Sequence, residues 1–109
     1  MTFKEQRRHE RVAVDISVYW GWTDDCPLRD RIVNLGVGGC FLRTDQRAPE
    51  PGSPVFIRFW LPEQKTLGGE VRYHLERVGF GVEFKGLSAD EWGRLAELVE
   101  FYRGQQPPW

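Results

Sequence analysis

The chain has 109 residues, 40% hydrophobic and 14% aromatic, which supplies enough apolar side chain for one packed core and too much for a disordered tail. Its 15 basic and 16 acidic residues leave a net charge of -1, which excludes a whole-molecule field that draws it to nucleic acid or to an anionic membrane. No apolar run is long enough for a bilayer span and the opening segment is polar, so a cytoplasmic protein without membrane insertion is expected.

Residues 1–11 form a basic arm, with Lys4, Arg7, Arg8 and Arg11 against Glu5 and Glu10. From Val12 the chain alternates: Val12, Val14, Ile16, Val18 and Trp20 point one way, and Ala13, Asp15, Ser17 and Tyr19 the other, the pattern of a half-buried strand. Thr23 to Pro27 is turn chemistry, and Arg29 to Val33 leads into Asn34-Leu35-Gly36-Val37-Gly38-Gly39. The three glycines of that turn are expected to carry the backbone through positive φ and to let it approach a ligand closely. Cys40 to Thr44 reads as the next strand. Pro49, Pro51, Gly52 and Pro54 stiffen a loop, and Val55 to Leu61 is a strand stopped by Pro62. A hairpin of Leu67–Tyr73 with Val78–Phe84 completes a run of short strands, which favours a barrel or sandwich over a sheet built from βαβ units.

Past residue 85 the period changes. Trp92, Leu95, Ala96, Val99 and Tyr102 recur at three and four, the stripe of one helix face. Ser88 is placed to cap that helix, Glu91 completes a capping box, and Leu87 and Trp92 stand at the two staple positions; Gly104, Pro107 and Pro108 stop it. The expected organisation is one domain: a flexible basic arm at 1–11, a barrel at 12–85, a helix at 88–103 and a loose tail at 104–109. Of the five tryptophans most are expected in the core, with Trp22 and Trp109 left at element ends where a partner protein can reach them.

The chemistry-bearing residues are few. Arg7 and Arg11, four apart, offer planar and permanently charged forks suited to phosphate oxygens or the acceptor edge of guanine. Cys26 and Cys40 lack the spacing of a zinc or disulfide pair, so no metal and no cofactor are expected, and Cys40 reads as a small buried strand residue. His9 and His74 are the only histidines and no nucleophile or metal motif surrounds them, so no catalytic residue is assigned and an enzyme is not expected.

Taken together, the order Arg7-x-x-x-Arg11, two strands, then Asn34-x-Gly36-x-x-Gly39 resembles the PilZ domain family, whose members carry Arg-x-x-x-Arg followed by Asp/Asn-x-Ser-x-x-Gly. The likeness continues in Gly38-Gly39-Cys40-Phe41, in Gly69-Glu70-Val71-Arg72, in Gly79 to Phe84 and in Leu87-Ser88, and spans roughly residues 5 to 103. The resemblance implies a mainly β fold, a six-stranded antiparallel PilZ-type barrel with one C-terminal α-helix. It also implies a non-catalytic receptor of the bacterial signalling nucleotide cyclic di-GMP, relaying it to an unidentified protein partner. Carried over by position, Arg7 and Arg11 hold guanine and phosphate, Arg8 adds a phosphate contact, Asn34 meets a guanine edge, and Gly36 and Gly39 let the backbone close. Tyr73, on a strand near the end of the barrel, is a candidate for stacking on a base.

One position departs from the family. Gly36 stands where the pattern has Ser, and the lost hydroxyl removes a hydrogen bond worth about 0.5–1.5 kcal/mol, a few-fold or more in affinity. The alternative that follows is a degenerate PilZ adaptor that no longer binds cyclic di-GMP and acts through protein contacts. A third reading, a small barrel that binds DNA or RNA, is disfavoured by the net charge of -1.

Overall fold

The computed structural model describes residues 10–60 and 63–106. Six strands, β1 (Val12–Gly21), β2 (Leu28–Leu35), β3 (Gly39–Arg43), β4 (Pro54–Trp60), β5 (Gln64–Leu75) and β6 (Gly79–Phe84), precede one helix, α1 (Ala89–Arg103). The strands close into an antiparallel barrel in the order β1-β2-β3-β6-β5-β4, with β4 returning to β1. This is the fold class expected from the sequence. No helix among the described residues is long and apolar enough to cross a membrane.

The alternation read in β1 decides what fills the barrel. Val12, Val18 and Trp20 are buried and Val14 and Ile16 partly so, while Ala13, Asp15, Ser17 and Tyr19 face out except for one register shift between Ala13 and Ile16. The same rule sends Val55, Ile57 and Phe59 of β4 inward, and Leu67, Val71, Phe80 and Val82 complete the centre. Trp20 is fully buried against Phe80, with ring centroids 4.8 Å apart, and its indole N–H donates to Asp30 Oδ2 at 2.9 Å. Its one polar atom is thereby satisfied inside an apolar core.

The expectation that most tryptophans lie in the core fails. Trp60, at 69%, and Trp92, at 47%, are exposed, Trp22 is exposed as expected at a strand end, and Trp109 lies outside the described residues. Trp60 shares the parity of Phe56 and Arg58, the outward side of β4, so the period of the strand overrides the apolar character of the residue.

Helix α1 begins as expected. Ser88 Oγ accepts from the Glu91 N–H at 3.0 Å and Glu91 Oε1 accepts from the Ser88 N–H at 3.0 Å, so the box satisfies two end groups reciprocally. Ser88→Ala is expected to cost about 1 kcal/mol, lowering the midpoint of thermal unfolding by about 4–8 °C. An unchanged melting curve contradicts that value for the cap. The buried stripe is centred on Leu95 and Val99, with Ala96 and Tyr102 packed against the core as read in the sequence; Leu98 joins them, and Trp92 is turned partly to solvent. Gly104 ends the helix in a right-handed conformation, donating to Glu100 O, instead of through a left-handed cap. Residues 104–106, expected as the start of a loose tail, are turned back, and the Gln106 side chain bonds to β1. Residues 107–109 lie outside the described residues.

Candidate functional site

The barrel itself brings Glu10 and Arg11, the last residues of the basic segment, to the glycine turn. Val12 pairs with Leu35 and Ala13 with Asn34, so the residues entering β1 emerge beside the connection from β2 to β3. That connection is closed by a hydrogen bond from the Gly36 N–H to Gly39 O at 2.8 Å, and the Phe84 N–H ties it to the end of β6 through Gly38 O at 2.9 Å.

The reason for its glycines differs from the one expected. Positive φ among the described glycines occurs at Gly52 and Gly86, and none of Gly36, Gly38 and Gly39 adopts it. What the turn requires is room. A Cβ on Gly36 falls 2.7 Å from the Glu10 carbonyl oxygen and 3.1 Å from Arg11 Cγ, and a Cβ on Gly39 runs into the Val82 carbonyl and lies 3.0 Å from Arg11 Nη2. Two strands and the incoming arm therefore converge on backbone that has no side chain. At Gly36, where the pattern read in the sequence has a Ser hydroxyl, this chain seats Glu10 and Arg11 closely instead.

Arg11 is the centre of the arrangement. Its Nη1 donates to Asn34 Oδ1 at 3.3 Å, and Nη2 sits over Gly39. No carboxylate among the described residues is within ion-pair distance of it. A fork with five N–H donors is thus held beside open backbone with its charge uncompensated by a neighbour among the described residues. Cys40, fully buried below, has its thiol pushed up to about 12 by burial while the Arg11 charge pulls the other way. It stays a neutral thiol, and Cys40 and Cys26 are both free and buried. Arg7 and Arg8 lie outside the described residues.

The register extends this surface sideways. Asn34 pairs with Phe41, Phe41 with Gly81, and Gly81 with Tyr73, so these positions form one row across β2, β3, β6 and β5 on the outer face. Tyr73 is 43% exposed and stacks with Phe41, ring centroids 6.0 Å apart and planes 28° apart. Its ring covers Gly81, where any Cβ collides with it. The row brings Tyr73 onto the same wall as Asn34, with Phe41 between them. The sequence placed Phe41 in the family likeness but assigned it no part in the site, although its parity after the inward-facing Cys40 marks it as an outer residue.

A second feature lies at the other end of the β3–β6 ladder. Asp45, Arg47, His74 and Arg77 help to line an open cleft of about 470 Å³ between the β3–β4 loop and the β5–β6 hairpin. None of the residues expected to bind ligand lines it.

Two residues that sequence reasoning missed hold the arm from its far side. Arg103 Nη2 pairs with Glu10 Oε1 at 2.6 Å, and Gln106 bonds to both backbone groups of Ala13. They stand 93 residues from their partners, and no local pattern marks them.

Comparison with known proteins places this geometry. The family model for the PilZ domain matches residues 5–101. No curated protein matches the chain by sequence. Among solved structures it is similar to the Bacillus subtilis inhibitor of motility (MotI/DgrA), with a TM-score of 0.77 and 17% identity over 94% of this chain. The chain spans 53% of that protein's length. It is also similar to the PilZ domain of CeSA from a cellulose-synthesizing bacterium, with a TM-score of 0.65 and 19% identity over 86% of this chain and 98% of that one. At such identities the two neighbours speak to fold alone, and it is the family match over residues 5–101, meeting a closed barrel with Arg11, Asn34 and Gly39 drawn together at one end, that assigns the chain to the PilZ domain family.

Proposed function

We propose that this PilZ domain is a non-catalytic receptor for cyclic di-GMP and passes the binding event to a protein partner. The observation that carries the reading is the Arg11 guanidinium, without a carboxylate partner among the described residues and set by Asn34 against the bare backbone of Gly39. A planar fork beside open backbone suits a ligand with phosphate oxygens and the O6 and N7 acceptors of guanine. In this reading Arg7 and Arg8 join Arg11 on the phosphates and a guanine, Asn34 meets a guanine edge, and Tyr73, supported by Phe41, offers a face for stacking. Binding gathers the arginine segment onto the ligand, and a partner reads the rearranged surface.

Gly36 supports the receptor reading over a lapsed site. Its lack of a side chain is matched by the close approach of Glu10 and Arg11, so the position serves the seating of the arm. Gly36→Ser and Gly36→Ala are accordingly expected to weaken cyclic di-GMP binding alike, by about five-fold, through the overpacking that either Cβ causes. Tighter binding by the Ser variant with no gain in the Ala variant contradicts this and restores the missing hydroxyl as the main defect.

Titration calorimetry of the purified chain with cyclic di-GMP tests the proposal. Saturable heat at about a hundred micromolar protein is the expected result, and its absence sinks the receptor reading.

A further inference from the structure

Among the described residues, the barrel leaves one stretch of strand edge unpaired with a strand. β1 pairs with β2 from Val12 onward, but with β4 only at Tyr19, Trp20 and Gly21. Over the first part of β1 the second edge is therefore available, and backbone groups on such an edge need partners. Helix α1 packs against β1, and at Ala13 the partner is a single side chain that turns back after the helix ends. The Ala13 N–H donates to Gln106 Oε1 at 3.3 Å, and Gln106 Nε2 donates to Ala13 O at 3.1 Å and to Tyr102 O at 2.8 Å. A carboxamide carries one acceptor and two donors, so Gln106 reproduces what a neighbouring strand residue offers and also anchors itself to the helix end.

Arg103, three residues earlier, pairs with Glu10 at 2.6 Å and also contacts Glu100. Its own pKa is raised first by the hydrogen bond to Glu10. Glu10 meanwhile lays its carbonyl oxygen over Gly36, and the next residue is Arg11, bonded to Asn34. Within four consecutive residues the chain is thus tied to the helix end at Glu10 and Ala13 and to the glycine turn at Glu10 and Arg11.

We infer that Arg103 and Gln106 are positioning residues for the ligand arm: by gripping Glu10 and Ala13 they fix the backbone on both sides of Arg11, so that its guanidinium is presented to ligand at Asn34 and Gly39. The inference rests on the receptor reading given above and adds to it a pair of residues outside the binding motifs. The physical basis is preorganisation. A segment already held in its bound conformation spends less of its binding free energy on ordering. The ion pair is exposed and of small worth by itself, so its role lies in where it puts the backbone.

The test uses the full chain, cyclic di-GMP titration and amide hydrogen exchange at Ala13. Gln106→Ala is expected to weaken binding by about ten-fold and to speed exchange of the Ala13 amide, while the thermal midpoint stays close to the parent's. Arg103→Glu is expected to weaken binding, and Glu10→Arg combined with Arg103→Glu to recover most of the loss, which a residue acting only on global stability does not do. If the parent binds and the Gln106→Ala and Arg103→Glu variants bind equally well, the assignment is overturned and the receptor reading stands. If the parent takes up no cyclic di-GMP, both fall.

Discussion

Arg11→Ala is expected to lower the affinity for cyclic di-GMP by about ten- to a hundred-fold while leaving the barrel intact. A charge-assisted hydrogen bond contributes about 1.5–3 kcal/mol, and each 1.4 kcal/mol is a factor of ten in affinity. The barrel has little stake in this side chain. Its one bond among the described residues is the 3.3 Å contact to Asn34, and Arg11 belongs to no ion pair there. Calorimetry and a thermal melt of the same sample separate the two effects. Arg11→Lys sharpens the test, because it keeps the charge and discards the fork, and an intermediate affinity is expected. Binding by Arg11→Ala equal to that of the parent contradicts the assigned role.

Gly39→Ala is expected to damage both fold and site. The new methyl group lands on the Val82 carbonyl, in the ladder where Gly39 pairs with Glu83 and Cys40 with Val82. The Val82 carbonyl is strand backbone and not a flexible side-chain end, so the strands must separate, and overpacking of this kind costs about 1–3 kcal/mol. The same methyl group crowds Arg11 Nη2, which lies 3.0 Å from it, so affinity falls further than stability alone requires. Urea unfolding measures the first effect and ligand titration the second. Gly93→Ala is the control: it lies within α1, nothing stands within 4 Å of its Cβ position, and the exchange is expected to stabilise by about 0.5–1 kcal/mol. Equal behaviour of the two variants contradicts the close-approach account of Gly39.

Much of the fold was legible because it rests on local rules. The period of two in β1 sorts Val18 and Trp20 from Ser17 and Tyr19 without knowledge of any partner strand. The Ser88–Glu91 box is a contact over three residues, and it appears as read. What the sequence hid depends on distant approach. The glycine turn was recognised but its reason was not, since positive φ is a property of a residue and the nearness of Glu10 O or Val82 O is a property of the closed barrel. The tryptophans were misplaced for a related reason. Apolar character argues for burial, but Trp60 stands at the outward parity of β4 and Trp92 at the solvent margin of α1, whereas Trp22, just past the end of β1, is exposed as its place at a strand end implied.

The site divides along the same line. Arg11, Asn34, Gly36 and Gly39 were found through the order and spacing of a family pattern, and the register then brings them together at one end of the barrel. Phe41 and Tyr73 meet only because three strand pairings set them in one row. Arg103 and Gln106 carry no motif at all, and their place beside Glu10 and Ala13 follows from the packing of α1 against β1.

The two ends of the β3–β6 ladder are far enough apart in sequence for ligand binding at one to be told from binding at the other. Amide chemical shifts of the isotopically labelled chain, followed during titration with cyclic di-GMP, report which end takes the ligand. The largest saturable shifts are expected on residues 10–13 and 34–41, with Tyr73 among them and the loop at 45–50 unmoved. Shifts concentrated instead on Asp45, Arg47, His74 and Arg77, around the cleft at the opposite end, contradict it.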